Sequence, residues 1–144
     1  MGERMILYDA ENQILGRLSS VIAKKLRGGE KITVVNCEKS VLSGNAKSKI
    51  EEYDKKVKRG DPIHGPFFPK QPDAIFRRTV RGMLPWDRSK GRTAFRNLKV
   101  FIGLPEELKS KKLEKIKNAE ASKLGTSYLT LEEISLAVGG KKKW

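Results

Sequence analysis

Residues 5–36, MILYDAENQILGRLSSVIAKKLRGGEKITVVN, decide the fold of this chain. An apolar run at 5–9 predicts a short strand, and the β-branched run at 31–36 predicts a second one. Between them, helical spacing relates Leu15, Leu18, Val21, Ile22 and Leu26. A glycine pair ends this helix, because glycine accepts the left-handed backbone conformation of a helix terminus. Two strands joined through a helix imply a right-handed parallel crossover, so the sequence predicts an α/β fold.

Hydrophobic spacing and turn residues predict the remaining elements. We expect helices at 46–59, 72–81, 105–117 and after Thr130, with a strand at 98–102. The proline-rich loop 60–72 is expected to be stiff, and residues 86–97 to form a basic connector. The three predicted strands are expected to belong to a small, largely parallel sheet of about four strands. It belongs to one α/β domain, residues 1–138, followed by a short basic tail, residues 139–144.

Positive charge is the dominant feature of the composition. The chain has 144 residues, 31 of them Lys or Arg and 17 Asp or Glu, which gives a formal net charge of +14. Residues 70–99 hold nine basic and two acidic residues, half of that net charge. A hydrophobic share of 38% indicates a globular chain, and the charge predicts an anionic polymer or surface as partner.

Several classes of protein are disfavoured by the sequence. The first nine residues lack the apolar core of a signal peptide, and no apolar run approaches the roughly 18 residues that span a membrane. Cys37 is the only cysteine, so no intrachain disulfide is possible, and we expect a buried thiol in a cytoplasmic protein. His64 is the only histidine and has no second ligand in view, so no metal site is predicted.

Nucleotide binding and catalysis are also disfavoured. Residues 43–48, SGNAKS, resemble the end of a phosphate loop but lack its leading glycine, and Gly16 stands alone after the first strand. The acidic pair Glu106–Glu107 is better explained by complementing a helix dipole than by acid–base chemistry. We therefore expect no cofactor, no small-molecule substrate and no enzymatic activity.

Helical phase divides residues 72–83 into two faces. Phe76, Val80 and Met83 share one face and are expected to be buried, while three arginines share roughly the opposite face. Arginine matches phosphate oxygens and stacks on bases, so this face favours RNA over simple solvation. The candidate RNA-binding residues are Arg77, Arg78, Arg81, Arg88, Lys90, Arg92, Arg96, Lys99, Lys47, Lys49, Lys58, Arg59 and His64. Phe67 and Phe68 of the loop either stack on unpaired bases or pack beneath it.

Several of these segments resemble one protein family. The block 80–85, VRGMLP, followed by Gly91 and by 98–103, LKVFIG, is similar to the signature of the large-subunit ribosomal protein L-thirteen family. Residues 9–20 and 34–45 contain further matching blocks, and the resemblance covers essentially 5–138. Where bacterial members have His-Pro-His after the last strand, this chain has Leu104-Pro105-Glu106, which is similar to the archaeal and eukaryotic branch.

The resemblance implies a three-layer α/β/α fold and a structural role in the large ribosomal subunit. Family members bind large-subunit ribosomal RNA, support subunit assembly, contact neighbouring ribosomal proteins and catalyse no reaction. The family motif includes Arg81, Gly82 and Lys99, while the other candidate residues rest on charge. Two alternatives stay open, an RNA-modifying or nucleotide-dependent enzyme and a free-standing nucleic-acid-binding regulator.

Overall fold

A computed structural model of the chain describes residues 5–60 and 63–142. Pro62 of the proline-rich loop and the last two residues of the basic tail lie outside the described residues. In chain order the elements are β1 (Met5–Asp9), α1 (Leu15–Arg27), β2 (Lys31–Val35), β3 (Val41–Ser43), α2 (Ala46–Lys58), α3 (Pro72–Arg81), α4 (Ser89–Arg96), β4 (Leu98–Val100), β5 (Tyr128–Thr130) and α5 (Leu131–Ala137). The assignment of 1–138 to one domain stays a prediction.

A three-stranded parallel sheet forms the centre of the fold. Its strand order is β1-β2-β4, with Ile6 opposite Ile32 and Ile32 opposite Leu98. The strand–helix–strand prediction for the first 36 residues and the α/β fold class are therefore confirmed. A separate antiparallel pair, β3 with β5, was not predicted, because three-residue strands are too short to show an alternating pattern.

The main hydrophobic core lies between one face of this sheet and the helices. Tyr8 and Val34 from the sheet pack in it with Leu18 of α1, Phe76 of α3 and Ile134 of α5, all at 0% exposure. On the other face, Leu7 and Val35 pack with Leu108, bordered by Leu104 and Leu113. The three-layer fold implied by the resemblance would have helices on this second face as well. Among the described residues, irregular chain from 104–116 covers this face instead.

The helix expected over 105–117 is wrong. Glu106–Leu108 forms a single 3-10 turn, and the chain then extends along the outer edge of β1 before a second 3-10 turn begins at Lys117. There the Glu114 N–H donates to the Leu7 carbonyl at 2.8 Å, and the Asp9 N–H donates to the Glu114 carbonyl at 3.0 Å. These bonds pair an edge that would otherwise stay open, so tertiary pairing outweighs local helix propensity.

The stretch 86–97, expected to be a connector, contains helix α4 instead. Its apolar face is short and consists of Gly91, Ala94 and Phe95. The glycine lets the backbone lie against Pro85, and Ala94 is buried. The burial expected for Met83 is also wrong, because α3 ends at Arg81 and leaves Met83 39% exposed. Leu84, at 6%, takes the buried position in the turn that follows.

Candidate nucleic-acid interface

The helix that carries the three predicted arginines has strong local determinants. Pro72 occupies its first turn with Asp73, where a fixed φ and a negative charge both favour a helix start. Phe76 and Val80 are buried against the core, which orients α3 and turns the arginines away from the sheet. The sequence prediction of α3 and of its two faces is therefore confirmed, apart from Met83.

The guanidinium groups of α3 lie over aromatic rings. The Arg77 guanidinium carbon is 4.7 Å from the centroid of Phe95, and that of Arg81 is 4.3 Å from Trp86. Trp86 and Phe95 meet edge to face, with centroids 5.2 Å apart. We call this surface the arginine groove, and it is lined by Pro69, Asp73, Ala74, Arg77, Arg78, Arg81, Trp86 and Phe95. The rings hold the positive charges in place without neutralising them.

A close backbone contact positions α4 beside α3. A Cβ built on Gly91 would overlap the Pro85 carbonyl oxygen, so only glycine allows this approach. The Arg92 Nε–H donates to the Trp86 carbonyl at 3.0 Å, which ties α4 to the preceding turn. Arg92 is thus engaged in holding the connector, while its side chain remains exposed.

A second set of contacts links α3 to α2. The Arg78 guanidinium carbon is 5.9 Å from the Phe68 centroid, and the Lys56 Nζ is 5.6 Å from the same ring. Phe68 also meets Tyr53 edge to face, with centroids 5.9 Å apart. Burial raises the pKa of the Tyr53 phenol above its ordinary value of 10.0. Phe68 therefore packs beneath the loop, whereas Phe67 is 65% exposed.

Charge also accumulates at the C-terminal end of α1. A cleft between this end and the turn before α4 is lined by Lys24, Arg27, Gly28, Pro85, Arg88 and Lys90. We call it the terminal cleft. The sequence predicted Arg88 and Lys90 as candidate residues but missed Lys24 and Arg27. Both lie off the apolar stripe of α1, yet only the tertiary fold brings them to Arg88, more than 60 residues later.

The structure separates the other predicted residues from these two surfaces. Lys99 is exposed between buried Leu98 and Val100, so it lies on the sheet face opposite the helices. On α2, Lys49 pairs with Glu52 at 3.5 Å and Lys58 with Asp54 at 2.9 Å, whereas Lys47 is exposed in the first turn. Residues that lie exposed outside both surfaces are Lys47, Arg59, His64, Arg96 and Lys99.

The described parts of the chain contain no cluster of metal-binding side chains. Within residues 5–60 and 63–142, no three His, Cys, Asp or Glu side chains are placed to hold a metal ion. Cys37 is fully buried, and burial raises the pKa of its thiol well above the ordinary value. Among the same residues, no helix is long and apolar enough to cross a membrane.

Fold and surface together define a basic α/β protein whose cations cluster at the ends and outer faces of α1, α3 and α4. A family model described as Ribosomal protein L13 matches residues 3–107. The chain belongs to this family, whose members are structural components rather than enzymes.

Relatives from archaea support the assignment over nearly the whole chain. A protein of Archaeoglobus fulgidus named large ribosomal subunit protein uL13 is 49% identical over 141 residues, covering 96% of this chain and 90% of its own. Proteins of the same name from Methanopyrus kandleri and Sulfolobus acidocaldarius are 46% and 41% identical, covering 95% and 98% of this chain and 88% and 97% of their own. These archaeal relatives agree with the predicted resemblance to the archaeal and eukaryotic branch of the family.

Proposed function

We propose that this chain is a structural component of the large ribosomal subunit in the cytoplasm. It binds large-subunit ribosomal RNA through the arginine groove and supports subunit assembly. Neighbouring large-subunit proteins are its further partners. Family membership supports the ribosomal role, and the observation that carries the RNA-binding site is the placement of Arg77 and Arg81 over the rings of Phe95 and Trp86.

The groove fits an RNA backbone for electrostatic and geometric reasons. Guanidinium groups present several donors in a plane, which matches phosphate oxygens. Rings beneath them restrict their motion, so less conformational entropy is lost when a phosphate binds. Neutralising phosphates releases condensed counterions, and the affinity therefore falls steeply as the salt concentration rises. Specificity then arises from the shape of folded RNA more than from the reading of base edges.

The test is the salt dependence of RNA binding. In the variant R77A/R78A/R81A, the slope of log K against log salt should become shallower by about one for each lost phosphate contact, up to about three. The matched control is K109A/K111A/K112A, which removes the same charge from three exposed lysines outside both surfaces. Circular dichroism checks that both variants fold. Equal slopes in the two variants would contradict the assignment of the groove.

The two alternative functions are tested with the unmodified protein. An RNA-modifying or nucleotide-dependent enzyme would be stabilised against heat by nucleotides or methyl donors, and we expect no such shift. A DNA-binding regulator would bind duplex DNA as tightly as a large-subunit RNA fragment at moderate salt, and we expect the RNA to be preferred. Co-sedimentation with the large subunit through a moderate salt wash would support the ribosomal role.

A further inference from the structure

The terminal cleft gathers four cations around one concave surface. Lys24, Arg27, Arg88 and Lys90 all line it, and none of its lining residues is acidic. All four side chains are exposed. Among the described residues, none of these four is in an ion pair within 4.0 Å, in contrast to Lys49, Lys56 and Lys58 of α2. The cleft therefore retains its positive charge in the free protein.

The helix dipoles explain the positions of two of these cations, Lys24 and Arg27, but not those of Arg88 and Lys90. Lys24 and Arg27 stand in the last turn of α1, where the negative end of the helix dipole favours them. Arg88 and Lys90 flank the start of α4, where the dipole is positive and disfavours cations. Their approach to the α1 pair adds repulsion between like charges. Such an arrangement is stabilised when an anion enters the cleft.

The lining favours phosphate over a base. Beside the cations, this cleft has Gly28 and Pro85, and the adjoining depression adds Leu26, Gly29, Ser89, Thr93, Ala94 and Asn97. None of these residues has an aromatic ring on which a base would stack, whereas the arginine groove has two. The terminal cleft thus suits only the phosphate of a nucleotide, whereas the arginine groove also has rings on which a base can stack.

Helix α4 stands between the two surfaces. Its Phe95 lines the arginine groove, while Lys90, Thr93 and Asn97 face the end of α1. At about 100° per residue, Phe95 points roughly 140° away from Lys90 around the helix. An RNA segment bound in the arginine groove would therefore be separated from an RNA segment in the terminal cleft by the width of α4.

We propose that the terminal cleft binds backbone phosphates of a second segment of RNA, distinct from the segment in the arginine groove. This inference rests on the proposed RNA-binding function. It assigns Lys24 and Arg27 as phosphate-binding residues, and it makes α4 a wedge between two phosphate-bearing segments. Binding at two surfaces of one protein raises the affinity beyond that of either alone, because the second contact is intramolecular.

The experiment compares three double variants on a large-subunit RNA fragment. K24A/R27A should make the salt slope shallower by about one to two and weaken binding. The matched control K111A/K112A removes the same charge outside the cleft and should change the slope less. The charge-conserving variant K24R/R27K should keep the wild-type slope. Alanine and arginine are both good helix formers, so α1 should persist in all three, as circular dichroism would verify.

Each outcome has a distinct meaning. If K24A/R27A matches the K111A/K112A control while R77A/R78A/R81A loses slope, the cleft assignment is overturned and the proposed function stands. If the wild-type protein shows no preference for RNA over duplex DNA, the proposed function itself fails. Inorganic phosphate provides the third arm. A saturable rise in melting temperature that K24A/R27A abolishes, with an unchanged RNA slope, would make the cleft a small-anion site and overturn the proposal.

Discussion

At the residue scale, Gly91 is a position at which the packing of the backbone requires glycine. The space for a Cβ at this position is occupied by the Pro85 carbonyl group, whereas a Cβ on Gly16 in α1 would meet nothing within 4 Å. Gly91→Ala should therefore push α4 away from the preceding turn and lower the free energy of unfolding by about 1–3 kcal/mol. Gly16→Ala is the matched control and should be neutral or stabilising, because alanine favours a helix.

Thermal unfolding measures this difference. At about 4 °C for each kcal/mol, Gly91→Ala should lower the melting temperature by several degrees. Because α4 also carries Phe95, the same variant should weaken RNA binding. A melting temperature equal to that of Gly16→Ala would mean that the approach of α4 to Pro85 is absent in solution.

Cys37 provides a prediction about pH. Burial first, and then the charge of Glu38, raise the pKa of its thiol above the ordinary value of 9.0. The folded protein therefore keeps the thiol protonated under conditions in which the unfolded chain forms thiolate. This contribution to stability is complete below about pH 9 and is lost as the pH rises further. Because the thiolate is the reactive species, Cys37 should resist alkylation at pH 8 unless denaturant is added.

A mass spectrum before and after denaturation would report this alkylation. Cys37→Ser places a hydroxyl in the same buried site and should be less stable than Cys37→Ala. Rapid modification of the native protein at pH 8 would contradict the buried position.

Individual residues also show what sequence analysis can and cannot predict. Periodicity correctly places Phe76 and Val80 in the core, because helical phase depends only on local spacing. It fails for Met83, since the phase applies only as far as the helix extends, and α3 ends at Arg81. Lys24 and Arg27 have no local signal that distinguishes them from other exposed cations. Their partners in the terminal cleft are distant in sequence and become neighbours only in the folded chain.

At the element scale, α5 and the stretch after β4 show the same limit of local sequence signals, because both were predicted to be helical and only α5 forms a helix. Thr130 and Glu133 form the capping box that the sequence indicates, with bonds of 3.3 Å in both directions, and α5 follows as expected. Pro105 and its two glutamates provide a comparable helix signal, yet only one 3-10 turn forms. The difference is tertiary, because the chain at Glu114 pairs with β1 and cannot also complete a helix. Local capping predicts where a helix starts but not whether it continues.

The connection between α3 and α4 predicts how aromatic rings contribute to binding. Trp86 lies beneath the Arg81 guanidinium and against Phe95. Trp86→Leu removes the ring but no charge, so the number of phosphate contacts and the salt slope should persist. Affinity at fixed salt should fall by about two- to fivefold, since a cation–π contact contributes about 0.5–1 kcal/mol at a partly exposed site.

Trp86→Phe is the control for this prediction, because it keeps an aromatic face under Arg81. Its affinity should lie between those of the wild type and Trp86→Leu. Measurement of binding at several salt concentrations separates the two effects. A shallower slope in Trp86→Leu would mean that phosphate contacts are lost, and that the ring therefore positions other cations of the arginine groove besides Arg81.

At the scale of the whole molecule, positive charge acts on folding and binding in opposite directions. The net charge is +14, and residues 70–99 supply half of it. Repulsion among these cations and those at the end of α1 destabilises the free protein. The same cations attract RNA phosphates. Composition alone predicts this excess, but its division between the arginine groove and the terminal cleft depends on α4, which the sequence did not reveal.

Raising the salt concentration should therefore stabilise the free protein while weakening its complex with RNA. Between about 0.01 M and about 0.3 M sodium chloride, the Debye screening length falls from about 30 Å to below about 10 Å. The melting temperature of the free protein should therefore rise by several degrees. The variant K24Q/R27Q/R88Q/K90Q removes the repulsion in the terminal cleft, so it should melt higher than the wild type at low salt and depend less on salt. Differential scanning calorimetry across this range measures both effects. A melting temperature that falls with salt would show that attractive ion pairs, such as Lys58–Asp54, outweigh the repulsion between the cations.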